Sequence, residues 1–394
     1  MDELTKKTLV MVLCGGKGER LFPLTRDRAK PSVPFLGSYR IIDFSLSNAL
    51  NSGLRRIALL TQYKSLSLER HILNGWNIFH AESGDFLISL PAQGRVGDHW
   101  YEGTADAVFQ NIYTIQQENP DLVLVLSGDH VYTCDYRRVI IFMRQLQADA
   151  VILTRHVPLA DASRFGIISV DPGRRIIDFV EKPKKPTPTP WNPEECLISM
   201  GVYLFRTPVL IRALLQDARQ PRSAHDFGRD VIPRLVKDFK IFAYPFEGYW
   251  EDIGTLDAYW AANMSFLDPD RPLHLLDPSW PVRTYKPQSP ATFIRDGEVR
   301  NSIIGDGGRL VGCRVRSSIL SPNVLVLEGA EVVESILFEG VEVRAGARLK
   351  RVIIDKNAKI PERLAIGYDD EKDGRAFKIS RAGVRIVPRN WAAE

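Results

Sequence analysis

The sequence predicts two folded parts in series: an α/β domain on a mainly parallel sheet, then a parallel β-helix. Three observations carry that prediction. Strand-like apolar runs alternate with helix-like segments up to about residue 265, prolines then crowd one short stretch, and Ser-Ile-Ile-type triplets repeat at an almost fixed spacing behind it. At 394 residues the chain is long enough for two domains with sizeable cores.

The first strand-like run, LVMVL at 9–13, passes directly into CGGKGERL, which holds Gly15, Gly16 and Gly18. DFSLSNALNSG at 43–53 reads as a helix closed by Gly53, and RIALL at 56–60 as a second buried strand. Ala105, Val108, Phe109, Ile112 and Ile115 fall on one helical face. DLVLVLSGD at 121–129 is a third strand ending in a turn, and IIDFV at 176–180 another, ending at Glu181-Lys182-Pro183. Strands alternating with helices imply a mainly parallel sheet covered on both faces. Ligands of such sheets collect at the carboxyl ends of the strands, where the glycine loop and Asp129 both fall.

The pattern changes near residue 265. Pro269, Pro272, Pro278, Pro281, Pro287 and Pro290 make 266–290 an extended linker, because proline resists helix and inner strand. Beyond it Ser302-Ile303-Ile304, Ser318-Ile319-Leu320, Ser335-Ile336-Leu337 and Val352-Ile353-Ile354 recur at spacings of 16, 17 and 17. GAEV (329–332) and GVEV (340–343) place a hexapeptide rhythm inside the larger one. The expected result is about four coils of a parallel β-helix, each burying its apolar side on the next. The near-constant period argues against an antiparallel sandwich. The expected domains are thus 1–265 and 291–394, with the linker between them.

With 44% hydrophobic and 25% charged residues the composition is that of a soluble globular protein. No apolar run approaches the ~20 residues that cross a bilayer, and the polar, acidic MDELTKK is wrong for a secretory signal. Cys14, Cys134, Cys196 and Cys313 lie far apart with no CxxC pair, so reduced thiols and a cytoplasmic location are expected. A net charge of +4 without Lys/Arg tracts excludes a nucleic-acid binder.

The glycine loop is not a P-loop, since Gly18 is followed by Glu19-Arg20, and it lacks the third glycine of a dinucleotide fingerprint. Arg20, Arg26, Arg28 and Lys30 follow along one proline-punctuated stretch. Elsewhere that would be a solvated face. Behind a strand and a glycine loop, itself readable as a plain strand-to-helix turn, it becomes a candidate polyphosphate cradle, because bare backbone amides and arginines both grip phosphate oxygens. Asp129 and Asp252 are well separated in sequence. Converging on one site, they would suit Mg²⁺, which takes few protein carboxylates and leaves room for phosphate oxygens and water.

Gly15-Gly16-Lys17-Gly18-Glu19-Arg20-Leu21 with Lys30-Pro31 resembles the signature of the sugar-nucleotide pyrophosphorylases, most closely those that make ADP-glucose. The resemblance continues through residues 39–72, LPAQ (90–93), WYEGTADAV (100–108), SGDHVY (127–132) and FGII (165–168). It resumes in FVEKP (179–183), SMGVYLF (199–205), HDFGRDVIP (225–233) and GYWEDIGTLDAYW (248–260), and extends into the C-terminal repeats.

That resemblance implies a Rossmann-like, GT-A-like nucleotidyltransferase domain and a left-handed β-helix. The implied reaction joins ATP and glucose 1-phosphate to give ADP-glucose and diphosphate, supplying glycogen or another α-glucan. Arg20, Lys30 and Asp129 would be catalytic, with Mg²⁺ on Asp129 and Asp252. Gly15, Gly16 and Gly18 would hold the nucleotide's phosphates, and Gln93, Gly103 and Thr104 would lie against its base. Lys182 would hold the sugar phosphate, Glu181 the sugar hydroxyls, and Tyr101, Gly166 and Ser199 would complete that pocket. Asp226 is either a helix cap or an orienting group at the sugar, and His130 a support for its neighbour. A homotetramer assembled partly through the β-helix is implied, with small anionic effectors on Arg28 and Arg40.

No Ser-His-Asp or Cys-His set is needed, since a sugar phosphate is already an anionic nucleophile. A UTP- or dTTP-dependent enzyme would differ only in the base pocket. A second, acyltransferase activity would want a histidine base, and none follows His274. A catalytically dead regulatory subunit would be expected to lose Arg20, Lys30, Asp129, Lys182 or Asp252, and all are present. Glu19, Asp27, Pro34 and Arg229 depart from the family's commonest pattern, Asp27 and Pro34 where some members carry effector-binding lysine and histidine. Arg375, Lys378, Arg381 and Arg385 are expected to form a solvated rim rather than an anion site.

Overall fold

The computed structural model describes residues 2–92, 99–270, 275 and 277–392. Its central sheet has nine strands. Thr8–Cys14 lies in the middle, parallel to Leu122–Ser127 on one side and to Arg56–Thr61 on the other, with Phe86–Pro91 beyond. Leu9 and Met11 enter one core layer and Val10 and Val12 the other, which is why a strand buried on both faces reads as an unbroken apolar run. All these parallel strands deliver their carboxyl ends to one edge.

The other half of the sheet is less regular than alternation suggested. A long strand, Glu195–Arg206, runs antiparallel to Leu122–Ser127 and to Ala150–Pro158. It shifts register between Ser199 and Tyr203, where Gly201 takes a φ of 68°. Gly53 closes the helix Ile41–Asn51 at φ 75°. The apolar face at 105–115 is split between two short helices, Thr104–Phe109 and Ile112–Glu118. Asn111 at the break donates its amide to the Ala107 carbonyl and to the Tyr101 hydroxyl, the backbone competition that makes asparagine a helix breaker.

The last helix of this part ends at Ser265 and the first strand of the repeat begins at Phe293. The chain between them lies along the first domain: Trp280 donates its indole N–H to Asn48 Oδ1 at 3.1 Å, and a methyl on Gly75 would lie 2.7 Å from Tyr285 Cβ. The repeat forms three parallel sheets, consistent with the left-handed β-helix expected. The triplets are its register, Ile303 facing Ile319, then Ile336, then Ile353. The repeated serines form a ladder, Ser318 N donating to Ser302 Oγ and Ser335 N to Ser318 Oγ, each at 3.1 Å.

The four coils expected are exceeded. Two of the sheets have five parallel strands, and in the third Arg385–Val387 adds a fifth beside Val352–Ile354. The sequence hides that strand because the chain first leaves the coil through the helix Asp370–Ala376, which breaks the period.

The triplet face carries two adjacent aliphatics for a physical reason. Leu320, Leu337 and Ile354 point into the β-helix, while Ile319, Ile336 and Ile353 join a second core with Phe35, Phe44, Leu256 and Tyr259 of the first domain. That face is buried on both sides, so the two domains share a core. A buried ion pair crosses it, Arg28 Nη2 to Asp355 Oδ1 at 2.8 Å, both side chains 3% exposed.

Candidate active site

The carboxyl ends of Thr8–Cys14, Arg56–Thr61 and Leu122–Ser127 open on one cavity of about 700 Å³. Gly15, Gly16, Gly18, Arg20, Lys30, Tyr101, Gly103, Thr104, Asp129 and Asp226 all line it. Gly18 is required by its conformation, φ 65°. Gly16 is not: a methyl there would meet nothing within 4 Å. Its missing side chain serves whatever approaches the bare amides rather than the fold.

The charges meet at the floor. Trp250–Asp252 pairs with His130–Tyr132, Asp252 opposite His130, and this hairpin-like contact brings the two distant aspartates together. Lys30 Nζ lies between them, 2.6 Å from Asp129 Oδ2 and 3.4 Å from Asp252 Oδ1. Burial would lower Lys30, but the two carboxylates raise it above the ordinary lysine value. Burial would likewise raise Asp129, and Lys30, His130 and the Ser127 hydroxyl instead hold it well below the usual carboxylate range. Both groups are therefore ionised at neutral pH. Gly254 sits between Asp252 and the Arg20 guanidinium, which carries no ion-pair partner among the described residues.

Two carboxylates on a partly open floor fit a divalent cation that draws its remaining ligands from substrate and water. Among the described residues no cluster of three or more His, Cys, Asp or Glu could enclose a metal by protein groups alone.

A second cluster adjoins the cavity through Asp226. Glu181 lies opposite Gly166 across an antiparallel pair. Its Oε2 would sit 2.8 Å from a methyl on Gly166 and 2.5 Å from one on Gly228. Lys182, at φ 45°, turns back to place Nζ 2.9 Å from Glu181 Oε1 while remaining exposed. Ser199, at the shift in the long strand, accepts the Gly201 N–H at 3.2 Å. Asp226 is a cap, its Oδ1 accepting from Arg229 N, and its Oδ2 accepts from the Thr104 hydroxyl at 2.9 Å on the cavity wall.

Tyr101 lines the glycine-loop cavity, whereas Glu181 and Lys182 do not. Its hydroxyl donates to the Leu90 carbonyl and accepts from Asn111, which leaves its ring to the cavity. Gln93 lies outside the described residues. Gln62 and Tyr63, which belong to the resembling stretch 39–72 but are not among the expected site residues, also line the cavity. They lie just past the predicted strand 56–60, which the structure extends to Thr61, so the strand-end rule could have found them.

Arg28 and Arg40 line a different pocket, about 300 Å³, between the domains, with Arg70, Lys356 and Arg389. Asp27 and Pro34 border it too. Arg28 Nη1 is buried without an acceptor among the described residues. Burial and the repulsion of Arg40 bring Lys356 down to about 8, although Glu339 lies 2.5 Å away. The expected C-terminal rim is corrected at Arg385, whose side chain is 8% exposed and pairs with Asp373 at 3.2 Å. A larger groove, about 1010 Å³, lies near the amino end of Leu122–Ser127 and contains none of the glycines or aspartates above.

A nucleotidyl transferase family model matches residues 9–268, and a model described as GlmU-like, C-terminal hexapeptide matches residues 289–387. The chain is 44% identical to a glucose-1-phosphate adenylyltransferase of Rhodopirellula baltica, over 98% of this chain and 91% of that protein. It is 45% identical to glucose-1-phosphate adenylyltransferase 2 of Vibrio cholerae, over 98% of each. To the Alteromonas mediterranea glucose-1-phosphate adenylyltransferase it is again 45% identical, over 100% of this chain and 95% of that protein. The chain therefore belongs to the glucose-1-phosphate adenylyltransferase family of nucleotidyl transferases.

Proposed function

We propose that the protein transfers the adenylyl group of ATP to glucose 1-phosphate, giving ADP-glucose and diphosphate. The observation that carries this reading is Lys30 bridging Asp129 and Asp252 at the floor of the glycine-loop cavity. A sugar-phosphate oxygen attacks the α-phosphorus, and the bond from that phosphorus to the β-phosphate oxygen breaks. The residues' task is alignment and charge neutralisation, without a proton acceptor. Gly15, Gly16 and Gly18 present amides to the phosphates, and Arg20 and Lys30 offset the charge that develops on diphosphate. Lys182 holds the nucleophile's phosphate, Glu181 and Ser199 the sugar. Asp129 and Asp252 are the ligands for Mg²⁺, which when bound polarises the phosphates and shields their charge.

The same reading makes the inter-domain pocket of Arg28 and Arg40 a site for a small phosphorylated effector, and the active form a homotetramer in the cytoplasm feeding α-glucan synthesis. What supports the effector site is a surplus of cations in one pocket, with a buried guanidinium nitrogen left over.

The test is diphosphate release from purified protein with Mg²⁺ and glucose 1-phosphate, supplying ATP, UTP, dTTP, CTP and GTP separately. A strong preference for ATP is expected. Preference for UTP or dTTP would overturn the base assignment, and silence with all five would make the chain a regulatory subunit.

A further inference from the structure

The segment that carries Arg20 is a short turn, Glu19–Leu21, followed by residues 22–26. Leu21 and Leu24 anchor it in the shared core, while Arg20 is exposed toward the cavity. Its backbone carbonyls are tied one by one. Gly18 accepts from the Thr25 hydroxyl at 2.8 Å, an internal tie. Thr25 accepts from Lys64 Nζ at 3.0 Å, a tie within the nucleotidyltransferase domain. Phe22, two residues past Arg20, accepts from Lys378 Nζ at 2.8 Å. That donor comes from the β-helix.

Lys378 stands on the excursion that interrupts the fifth coil. The chain leaves the β-helix as the helix Asp370–Ala376, and Lys378–Ile379 returns antiparallel to Arg385–Val387. The excursion is stiffened from inside: Asp373, itself buried, accepts from Gly367 N at 2.7 Å and from Arg385 Nε at 3.2 Å. Two groups reach out from it. Lys378 takes the Phe22 carbonyl and lies 5.7 Å from the centre of the Phe22 ring. Ala382 N donates to Asp257 Oδ1 at 3.3 Å, in the helix that follows Asp252 and Gly254. One rigid loop of the β-helix thus touches both segments that flank the reacting charges, the one behind Arg20 and the one behind Asp252.

We propose that Lys378 is a positioning residue for nucleotide binding, holding the 19–22 turn in the conformer that aims Arg20 at the phosphates. This rests on the assignment of Arg20 to the phosphates of the nucleotide. The physical argument is one of population. Leu21, Leu24 and the ties to Gly18 and Thr25 hold the inner side of the turn. Its exposed end at Phe22 takes one charged hydrogen bond. An end so held has competing conformers close in energy, and apparent affinity falls in proportion to the competent fraction. Loss of one such bond is expected to weaken nucleotide binding about fivefold. Once the nucleotide is bound it holds the turn itself, so turnover at saturation is unchanged. Glucose 1-phosphate, assigned above to Glu181, Lys182 and Ser199, is expected to bind unchanged.

The experiment compares wild type, Lys378→Met, Lys378→Arg and Arg20→Gln in the full-length protein. Calorimetry gives the ATP affinity with Mg²⁺ present, kinetics give KM and kcat for ATP and glucose 1-phosphate, and thermal unfolding is followed alongside. Lys378→Met keeps an apolar stem over Phe22 and removes only the ammonium. The proposal expects ATP affinity to fall and KM for ATP to rise by the same few-fold. KM for glucose 1-phosphate, kcat and Tm should hold, with Lys378→Arg recovering most of the loss. Unchanged ATP affinity in Lys378→Met overturns the proposal if Arg20→Gln weakens ATP. If Arg20→Gln is silent as well, the reading of Arg20 has failed. Loss of affinity accompanied by a lower Tm and not recovered by arginine would make the contact structural only, which also overturns it.

Discussion

Lys30 and Lys356 are both largely buried lysines beside a carboxylate, and the protein shifts them in opposite directions. Lys30 has two carboxylates, Asp129 and Asp252, and is raised despite its burial. Lys356 has Glu339 but also faces Arg40 and Arg28, and with burial they bring it down to about 8. The first pocket balances charge with protein groups and keeps acidic oxygens on its floor, which suits a metal and the cationic side of phosphate chemistry. The second gathers Arg28, Arg40, Lys356 and Arg389 against fewer carboxylates, and its cations lower one another's pKa. A pocket that suits a cation and a pocket that suits an anion differ here by the company each lysine keeps.

The comparison breaks most decisively at Asp129. Asp129→Asn keeps the size of the side chain and leaves Asp252 facing Lys30, so the fold should survive. The floor loses half of its charge, and kcat is expected to fall by ~10³-fold or more, as removals of preorganised electrostatic groups do. Diphosphate release and a circular-dichroism melt on the same sample check both halves. A variant retaining more than a tenth of wild-type turnover would remove Asp129 from the catalytic floor.

The next largest effect concerns the ion pair beside the inter-domain pocket. Arg28 and Asp355 are fully desolvated partners across the domain interface. Removing one alone, as in Arg28→Ala, strands a buried carboxylate and is expected to cost about 3–5 kcal/mol in urea unfolding. Replacing both, Arg28→Met with Asp355→Leu, should recover most of that. If the double variant is as unstable as the single one, the pair does more than compensate itself.

What the sequence makes legible follows from how local each signal is. The β-helix register was readable because Ile303, Ile319, Ile336 and Ile353 repeat at the period of one coil. The fifth coil was not, because the excursion at 370–376 displaces its strand in sequence but not in space. The glycine loop and Asp129 were legible as strand-end residues. The meeting of Asp129 with Asp252 depends on a strand pair that joins residues 130 and 252, and no periodicity records it. The arginines of the inter-domain pocket show the same limit. The order Arg28…Arg40 gives a basic stretch, but only the shared core brings Lys356 and Arg389 to them, and only that contact buries Arg28 against Asp355. Arg385 looked like a surface cation because its acidic partners lie on the excursion and not beside it in the chain.

The smallest effect is the one that most sharpens the contrast of the two lysines. Lys356 titrates near 8 in the folded protein and near its ordinary 10.5 when unfolded. Below about pH 8 the folded state carries the ammonium at a cost. Between the two values the unfolded chain binds more protons, so stability rises with pH through that window. Lys356→Met should abolish the rise and stabilise the protein near neutral pH by ~1–2 kcal/mol, because it removes a cation held against its neighbours. An anion in the pocket acts the other way, since it favours the ammonium and raises its pKa. The ratio of wild-type to Lys356→Met phosphate affinity, in which the anion's own ionisation near pH 7 cancels, is therefore expected to be constant below about pH 8 and to fall by up to tenfold per pH unit above it. Calorimetric titration of inorganic phosphate across that range, on wild type and Lys356→Met, reads this directly. Lys30 offers no counterpart, because its charge is already secured by Asp129 and Asp252, so nucleotide binding should not share the step. A wild-type-to-variant ratio that is flat through pH 9 would show that Lys356 does not face the bound anion, and the surplus of charge would then belong to Arg28 and Arg40 alone.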